Sequence, residues 1–215
     1  ERIGDFDRAK QAAERLFGLR LTSEMQTQLI PQMKRLGLEA QADAMMSRME
    51  RSSSRQPSTI LSLMRLYQSQ GKTENANQAA LAILRKTTSP YSSTINNSYS
   101  PNIQTADGSQ RETALQHLSR TGALNKLVEQ LKEKLERSPD SVHTLQQLAE
   151  FSLALNQKED ADRYLLKAIE LRPEAYALRW NLAKNLAAKG KHSEACDQYL
   201  LVLEAQPCLL YTSDA

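Results

Sequence analysis

The residues able to do chemistry are few and widely spaced in this chain. Its 215 residues include two cysteines, Cys196 and Cys208, and three histidines, His117, His143 and His192. Two cysteines cannot build a disulfide framework, and no histidine stands at metal-ligand spacing from a cysteine. The sequence also lacks the motifs of a nucleophilic serine, a phosphate-binding glycine loop and a zinc protease. It therefore predicts a protein that is not an enzyme and that holds no cofactor and no metal.

Neither Cys196 nor the distribution of charge indicates a catalytic or nucleic-acid-binding protein. Cys196 lies in a regular part of the sequence, where we expect it to fill a half-buried packing position rather than act as a nucleophile. The net charge of +3 comes from 28 basic and 25 acidic residues spread along the chain, whereas nucleic-acid binders concentrate basic residues on one face. No apolar run is long enough to cross a bilayer. We expect neither nucleic acid nor membrane as a partner, and the cytoplasm is the favoured location.

A period of 34 residues organises the chain. Pro139, Pro173 and Pro207 are 34 apart, and so are Ala161 and Ala195. The same interval separates three further pairs of equivalent residues: Leu148 and Leu182, Gly37 and Gly71, and Ala42 and Ala76. Self-similarity at a fixed period is the mark of a repeat architecture.

Each period predicts two helices. Apolar residues three or four apart, such as Leu145 and Leu148, give the first helix one amphipathic face. A polar turn follows, and a glycine such as Gly190 suits the left-handed backbone that ends a helix. A second helix starts near Ala161, whose small side chain allows two helices to cross closely. One hairpin of this size cannot bury its apolar face alone, so neighbouring hairpins must stack.

These features resemble the tetratricopeptide repeat. The segment "WNLAKNLAAKGKHSEACDQYLLVLEAQP" places six residues in the slots typical of that family: Leu182, Ala183, Gly190, Ala195, Tyr199 and Pro207. The resemblance implies an all-α fold, a right-handed α-solenoid of stacked antiparallel helix pairs with about five and a half repeats and one inserted loop. The copy at 109–139 departs from the pattern, since larger residues (Leu115, Leu127 and Lys134) stand where small ones are usual.

The repeats predict four segments. Residues 1–86 contain repeats one (partial) to three, residues 87–110 form a flexible insertion rich in Ser, Thr and Asn, and residues 111–207 contain repeats four to six. We interpret 208–215, "CLLYTSDA", as a non-native tail, because it departs from the repeat pattern and is encoded in full by codons that resemble a common transposase-type sequencing adapter. The first residues match a second helix without its first helix, so we expect a fragment of a longer array.

The family resemblance also implies where a partner would bind. In such solenoids the first helices of the pairs line the concave surface, which holds an extended peptide or a partner helix. Carried over copy by copy, the groove positions fall on six residues: His143, Gln146, Glu150, Trp180, Asn181 and Lys184. Trp180 is the large aromatic residue in this set and would serve as an anchor.

One function of the family is disfavoured by the residues in its slots. Chaperone-binding members hold a C-terminal carboxylate with lysine, arginine and asparagine side chains. The corresponding slots here carry Gln147, Ala177 and Asn181, which lack the cations that a carboxylate clamp needs.

Two hypotheses about function remain from the sequence. The first is a non-catalytic interaction scaffold that binds a protein or peptide partner on the concave face. The second is the substrate-docking or partner-docking repeat region of a larger multidomain enzyme, whose catalytic domain lies outside this segment. RNA binding is a weaker third possibility, because Glu150 beside Lys184 gives no basic groove.

Overall fold

The described part of the chain is helical. A computed structural model describes residues 2–52, 56–87 and 106–205, and within these ranges it contains α-helices and turns and no strand. The helices are α1 (Arg2–Phe17), α2 (Ser23–Arg35), α3 (Glu39–Ser52), α4 (Pro57–Ser69), α5 (Thr73–Lys86), α6 (Ala106–Arg120), α7 (Ala123–Arg137), α8 (Val142–Ala154), α9 (Lys158–Leu171), α10 (Tyr176–Ala187) and α11 (His192–Ala205). None of these helices is long and apolar enough to cross a membrane.

The helices belong to two compact units. The first contains the described residues of Glu1–Thr87 together with Gln110–His117, and the second contains those of Thr88–Ser109 and Leu118–Ala215. In the first unit α2 packs against α3 and α4, and α4 packs against α5. In the second unit α8 packs against α7 and α9, and α10 packs against α9 and α11. Within each unit, helix hairpins therefore stack on their neighbours, which confirms the all-α, solenoid-type fold class.

Left-handed turns separate the two helices of a pair. Gly71 between α4 and α5 has a φ of +70°, and Gly190 between α10 and α11 has a φ of +77°. At the equivalent turn between α8 and α9 the residue is Asn156, with a φ of +61°. Asparagine tolerates this backbone better than other side chains do because it can hydrogen-bond locally. The prediction of glycine turns is thus confirmed, and Asn156 serves as the substitute.

Replacing Gly71 with alanine should destabilise the first unit. The added Cβ meets no atom within 4 Å, so the effect comes from the backbone alone. We expect a loss of about 1 kcal/mol in the free energy of unfolding, since the left-handed penalty exceeds the gain from a stiffer unfolded chain. Urea denaturation of Gly71→Ala measures it. Gly18→Ala is the control, because Gly18 has no left-handed backbone; equal losses in both variants would contradict the explanation.

The core of the second unit consists of leucines separated by alanines. Its buried cluster contains Val142, Leu145 and Ala149 of α8, Leu165, Ala168 and Ile169 of α9, Leu178, Leu182 and Leu186 of α10, and Ala195 of α11. Ala161 is fully buried and Ala195 nearly so. The same slot in the first unit holds Ala42 and Ala76, both with 0% of their surface exposed. The predicted role of small residues at the helix crossings is therefore consistent with their burial.

Helix α6 begins earlier than the sequence predicts. The insertion was expected to extend to residue 110, but α6 starts at Ala106, so residues 106–110 are helical and the predicted loop is too long at this end. Arg111 directly follows this segment, is only 4% exposed, and donates to the carbonyls of Leu84 and Thr87, so it anchors the first turns of α6 against the end of α5. Most of the insertion (88–105) and the predicted non-native tail (208–215) lie outside the described residues.

Candidate partner-binding surface

Helix α8 carries three of the six predicted groove residues. The hydroxyl of Ser141 caps its first turn by accepting a hydrogen bond from the backbone N–H of Thr144, at 3.4 Å. His143, Gln146 and Glu150 follow at spacings of three and four, which places them on one face of the helix. Only His143 is exposed on this face, whereas Gln146 and Glu150 are 3% and 4% exposed.

The burial of Gln146 leaves one donor unsatisfied. Its Nε2 atom is buried and has no hydrogen-bond partner in the described part of the chain. Buried amide groups are almost always hydrogen-bonded in native proteins, and leaving one unpaired costs about 1–3 kcal/mol. The sequence did not predict this, because a glutamine in a helix face is equally compatible with solvent exposure.

Helix α10 carries the other three predicted residues. Lys184 is exposed, whereas Trp180 and Asn181 are half-buried. The Trp180 ring packs edge-on against Tyr199 of α11, with 4.7 Å between ring centroids and 66° between ring planes. The amide of Asn181 donates to the carbonyl of Ala177 at 2.9 Å. Part of the Trp180 ring, the predicted anchor, therefore packs against the second helix of its own pair and is not available to a partner.

The two sets of residues occupy equivalent slots. Gln146 and Trp180 are 34 residues apart, and so are Glu150 and Lys184. Both α8 and α10 contribute to the core cluster that packs on α9. The equivalent slots therefore belong to the first helices of two successive pairs in one compact unit.

Asn185 is a polar residue near this face that sequence reasoning missed. Its Nδ2 atom is buried and, within the described residues, has no hydrogen-bond partner. It follows Asn181 by four residues on α10, so the two amides lie on one side of that helix. The sequence did indicate that position 185 is buried, because the equivalent position one period earlier holds the apolar residue Phe151.

An ion pair fixes the end of α10 against α9. The Nζ atom of Lys189 lies 2.5 Å from a carboxylate oxygen of Asp162 and donates to the carbonyl of Lys158 at 3.0 Å. The two charged side chains are only 14% and 15% exposed. Because water screens this pair weakly, it holds the first helix of one pair in register with the second helix of the preceding pair.

Removing the ammonium group of Lys189 should destabilise the second unit. We expect Lys189→Met to lower its free energy of unfolding by about 1–2 kcal/mol, since the carboxylate of Asp162 then stays partly buried without its cation. The matched control is Lys191→Met, because the pair between Lys191 and Glu194 is more than half exposed and should contribute under about 0.5 kcal/mol. Urea denaturation of both variants measures the difference, and equal stabilities would refute the role of burial.

The cysteine and the histidines do not assemble into a reactive centre in the described residues. Cys196 is exposed, so the expectation of a half-buried packing position was wrong. It follows the buried Ala195 directly, and one step along a helix turns the side chain by about 100° away from the crossing. His117 is buried and its Nδ1 atom lies 2.7 Å from the amide of Gln68. No group of three potential metal ligands occurs within the described ranges.

The helix pair α8–α9 matches a known family. Residues 142–174 match the family model described as tetratricopeptide repeat. The chain carries a tetratricopeptide repeat. This confirms the resemblance that was based on the 34-residue period, and it places three of the candidate residues (His143, Gln146 and Glu150) in the first helix of the matched tetratricopeptide repeat.

Two solved structures illustrate what this chain is similar to. MamA 41-end from Desulfovibrio magneticus RS-1 is 14% identical, with 90% of this chain and 97% of that chain covered and a TM-score of 0.40. TTC0263, a thermophilic TPR protein in Thermus thermophilus, is 19% identical, with coverages of 86% and 92% and a TM-score of 0.40. No curated protein sequence matches the chain significantly.

Proposed function

We propose that this protein is a non-catalytic interaction scaffold, and that a protein or peptide partner docks on the face formed by His143, Gln146, Glu150, Trp180, Asn181 and Lys184. We call this surface the first-helix face, because its residues lie on the first helices of two successive pairs. The observation that carries the proposal is the buried Nε2 donor of Gln146, which has no acceptor within the described residues. It lies one helical turn from the exposed His143, where a partner can approach.

The chemistry of the first-helix face suits an extended polypeptide. A rotation of the Gln146 side chain toward the surface would offer its amide to a backbone carbonyl of the partner, and Asn185 on α10 holds a second buried amide that lacks an acceptor within the described residues. Satisfying a buried donor recovers the cost of its desolvation, which makes such a contact specific as well as favourable. The exposed part of the Trp180 ring supplies apolar contact area, and Lys184 supplies a charge at the edge.

The proposal is tested by peptide selection followed by titration. A random peptide library is selected against the full chain, and the affinity of each selected peptide is then measured for wild type and variants. We expect Gln146→Met to weaken the peptides that use the first-helix face about tenfold, because a thioether of similar length cannot donate a hydrogen bond. Lys184→Glu should weaken acidic peptides further.

Controls separate docking from stability. Lys191→Glu reverses an exposed charge on a turn outside the first-helix face, and it should leave the affinities unchanged. Lys184 is exposed, so its substitution does not disturb packing, and thermal melting confirms this for each variant. If every selected peptide binds the Trp180→Ala, Lys184→Glu double variant as it binds wild type, the first-helix face is not the docking surface.

A further inference from the structure

Helix α10 covers one stripe of α9 in the second compact unit. The stripe consists of three residues at spacings of three and four: Asp162, whose side chain is 15% exposed, and Leu165 and Ile169, which are 0% and 6% exposed. Leu165 and Ile169 pack in the same buried cluster as the leucines of α10, and Asp162 pairs with Lys189 just after α10. The first helix that follows α9 in the stack therefore contributes to the burial of this stripe.

The equivalent stripe of α11 is more open. Its residues, each 34 positions later in the chain, are Cys196, Tyr199 and Leu203. Cys196 is exposed, and Tyr199 and Leu203 are half-buried. In the described part of the chain α11 packs on α10 through a different side of the helix, which carries the buried Ala195. We call Cys196, Tyr199 and Leu203 the α11 stripe.

The covered region of α9 has a clear boundary. Leu166 follows Leu165 directly but is 48% exposed, and its equivalent on α11, Leu200, is 54% exposed. The helix seated on α9 therefore leaves this position in contact with solvent. A helix seated in the same way on α11 would cover Leu203 and leave Leu200 exposed. This difference separates one defined helix position from general apolar contact.

The contact between α9 and α10 also gives the direction of such a helix. Lys189 follows the end of α10, and its Nζ atom lies 2.5 Å from a carboxylate oxygen of Asp162 and 3.0 Å from the carbonyl of Lys158. Asp162 and Lys158 stand in the first turns of α9, so the end of α10 meets the start of α9. The two helices are antiparallel, and a helix seated equivalently on α11 would run antiparallel to it.

Acidic residues border the α11 stripe. Asp197 and Glu204 are exposed, and their spacing of seven places both on one edge of the stripe. Helix α11 also contains Glu194 and has no lysine or arginine. A second copy docked through the same stripe would bring two acidic helices together, which is unfavourable. By contrast, α10 contains Arg179 and Lys184 and no acidic residue. Charge complementarity therefore favours a basic helix on α11.

We propose that the α11 stripe binds one amphipathic, basic helix of a partner protein, antiparallel to α11, in the position that α10 takes on α9. The partner's apolar side chains cover Tyr199 and Leu203, and its basic side chains meet the edge formed by Asp197 and Glu204. The thiol of Cys196 replaces the carboxylate of Asp162 and acts as a small apolar contact. The stripe adjoins the first-helix face but lies on a second helix, so it is an independent surface.

A synthetic helix tests the proposal on the full chain under reducing conditions. The fluorescein-labelled probe has the sequence of residues 176–189, with a hydrocarbon staple in place of Trp180 and Lys184, since an unconstrained peptide of this length is barely helical in water. Fluorescence anisotropy measures its binding. We expect Cys196→Asp to bind the probe about tenfold more tightly than wild type does, because it recreates the pair between Asp162 and Lys189. A probe with Lys189→Met should lose this gain.

Matched variants identify the stripe. Leu203→Ala should weaken the probe about tenfold, whereas Leu200→Ala, a change of the same side chain on the same helix, should leave binding unchanged. Leu201→Asp adds a charge to α11 outside the stripe and should give no gain that depends on Lys189 of the probe. Equal effects of the two leucine variants, or no binding of the probe to wild type and Cys196→Asp at millimolar concentration, overturn the proposal.

Two further measurements test other occupants of the stripe. Light scattering detects a second copy: a dimer of the full chain that Leu203→Glu dissociates would show self-association in place of a partner helix. Removal of residues 208–215 tests the end of the chain itself. If the probe binds only after this removal, that segment is the occupant and the proposal is wrong. Lys184→Gln should leave binding of the probe unchanged, which separates the α11 stripe from the first-helix face.

Discussion

Replacing Leu165 with alanine should lower the free energy of unfolding of the second compact unit by about 2–5 kcal/mol. Leu165 has 0% of its surface exposed and packs in the cluster that α8, α9, α10 and α11 share. Truncation removes the apolar transfer energy of the side chain and also leaves a cavity, because the leucines on three neighbouring helices cannot all move inward. Urea denaturation followed by far-ultraviolet circular dichroism measures the loss.

The next residue in the chain is the matched control. Leu166 has the same side chain on the same helix but is 48% exposed, so Leu166→Ala should change stability by less than about 1 kcal/mol. The pair therefore isolates burial from helix propensity and from composition. If both variants lose the same stability, the packing of α9 is not as described.

Replacing Arg111 with alanine should lower the stability of the first unit by about 2–4 kcal/mol. Its Nη1 atom donates to the carbonyl of Leu84 at 2.7 Å, to the carbonyl of Thr87 at 2.9 Å and to the hydroxyl of Thr87 at 3.2 Å. These acceptors lie at the C-terminal end of α5, where carbonyls lack partners within the helix. The buried guanidinium thus caps α5 and also favours the negative end of its dipole.

Two further variants serve as controls for Arg111→Ala. Arg111→Lys keeps the positive charge, but the lysine side chain is shorter and its ammonium group lacks the planar donor geometry of a guanidinium. Its stability should therefore lie between those of Arg111→Ala and wild type. Arg120→Ala removes an exposed arginine from the same helix and should cost little. Denaturation curves in urea rank the three variants, and a wild-type midpoint for Arg111→Ala would rule out the cap.

Several features of the fold were readable in the sequence because they depend on local chemistry. A left-handed turn needs glycine or asparagine wherever it occurs, so Gly71 and Gly190 predicted the end of a helix correctly. A close helix crossing needs a small residue, and Ala161 and Ala195 are buried as expected. The 34-residue period followed from the recurrence of such positions, and the match of residues 142–174 to the tetratricopeptide repeat agrees with it.

Other features depend on neighbours that are distant in sequence. Gln146 and Glu150 have the composition of a solvent-facing stripe, yet both are buried. Cys196, predicted to be half-buried, is exposed. An arginine such as Arg111 is usually exposed, but its side chain is buried here because it donates to the carbonyl of Thr87 at the end of α5, 24 residues earlier in the chain. In each case the residue type is compatible with either environment.

The sequence by itself determined the helical repeat, its turns and its crossing alanines, since each residue there meets a steric requirement of its own backbone. Only the tertiary structure decided which polar side chains are covered and where α6 begins. The physical reason is that burial is a property of the space between helices. That space depends on how the side chains of several segments fill it together, which no single period of the sequence specifies.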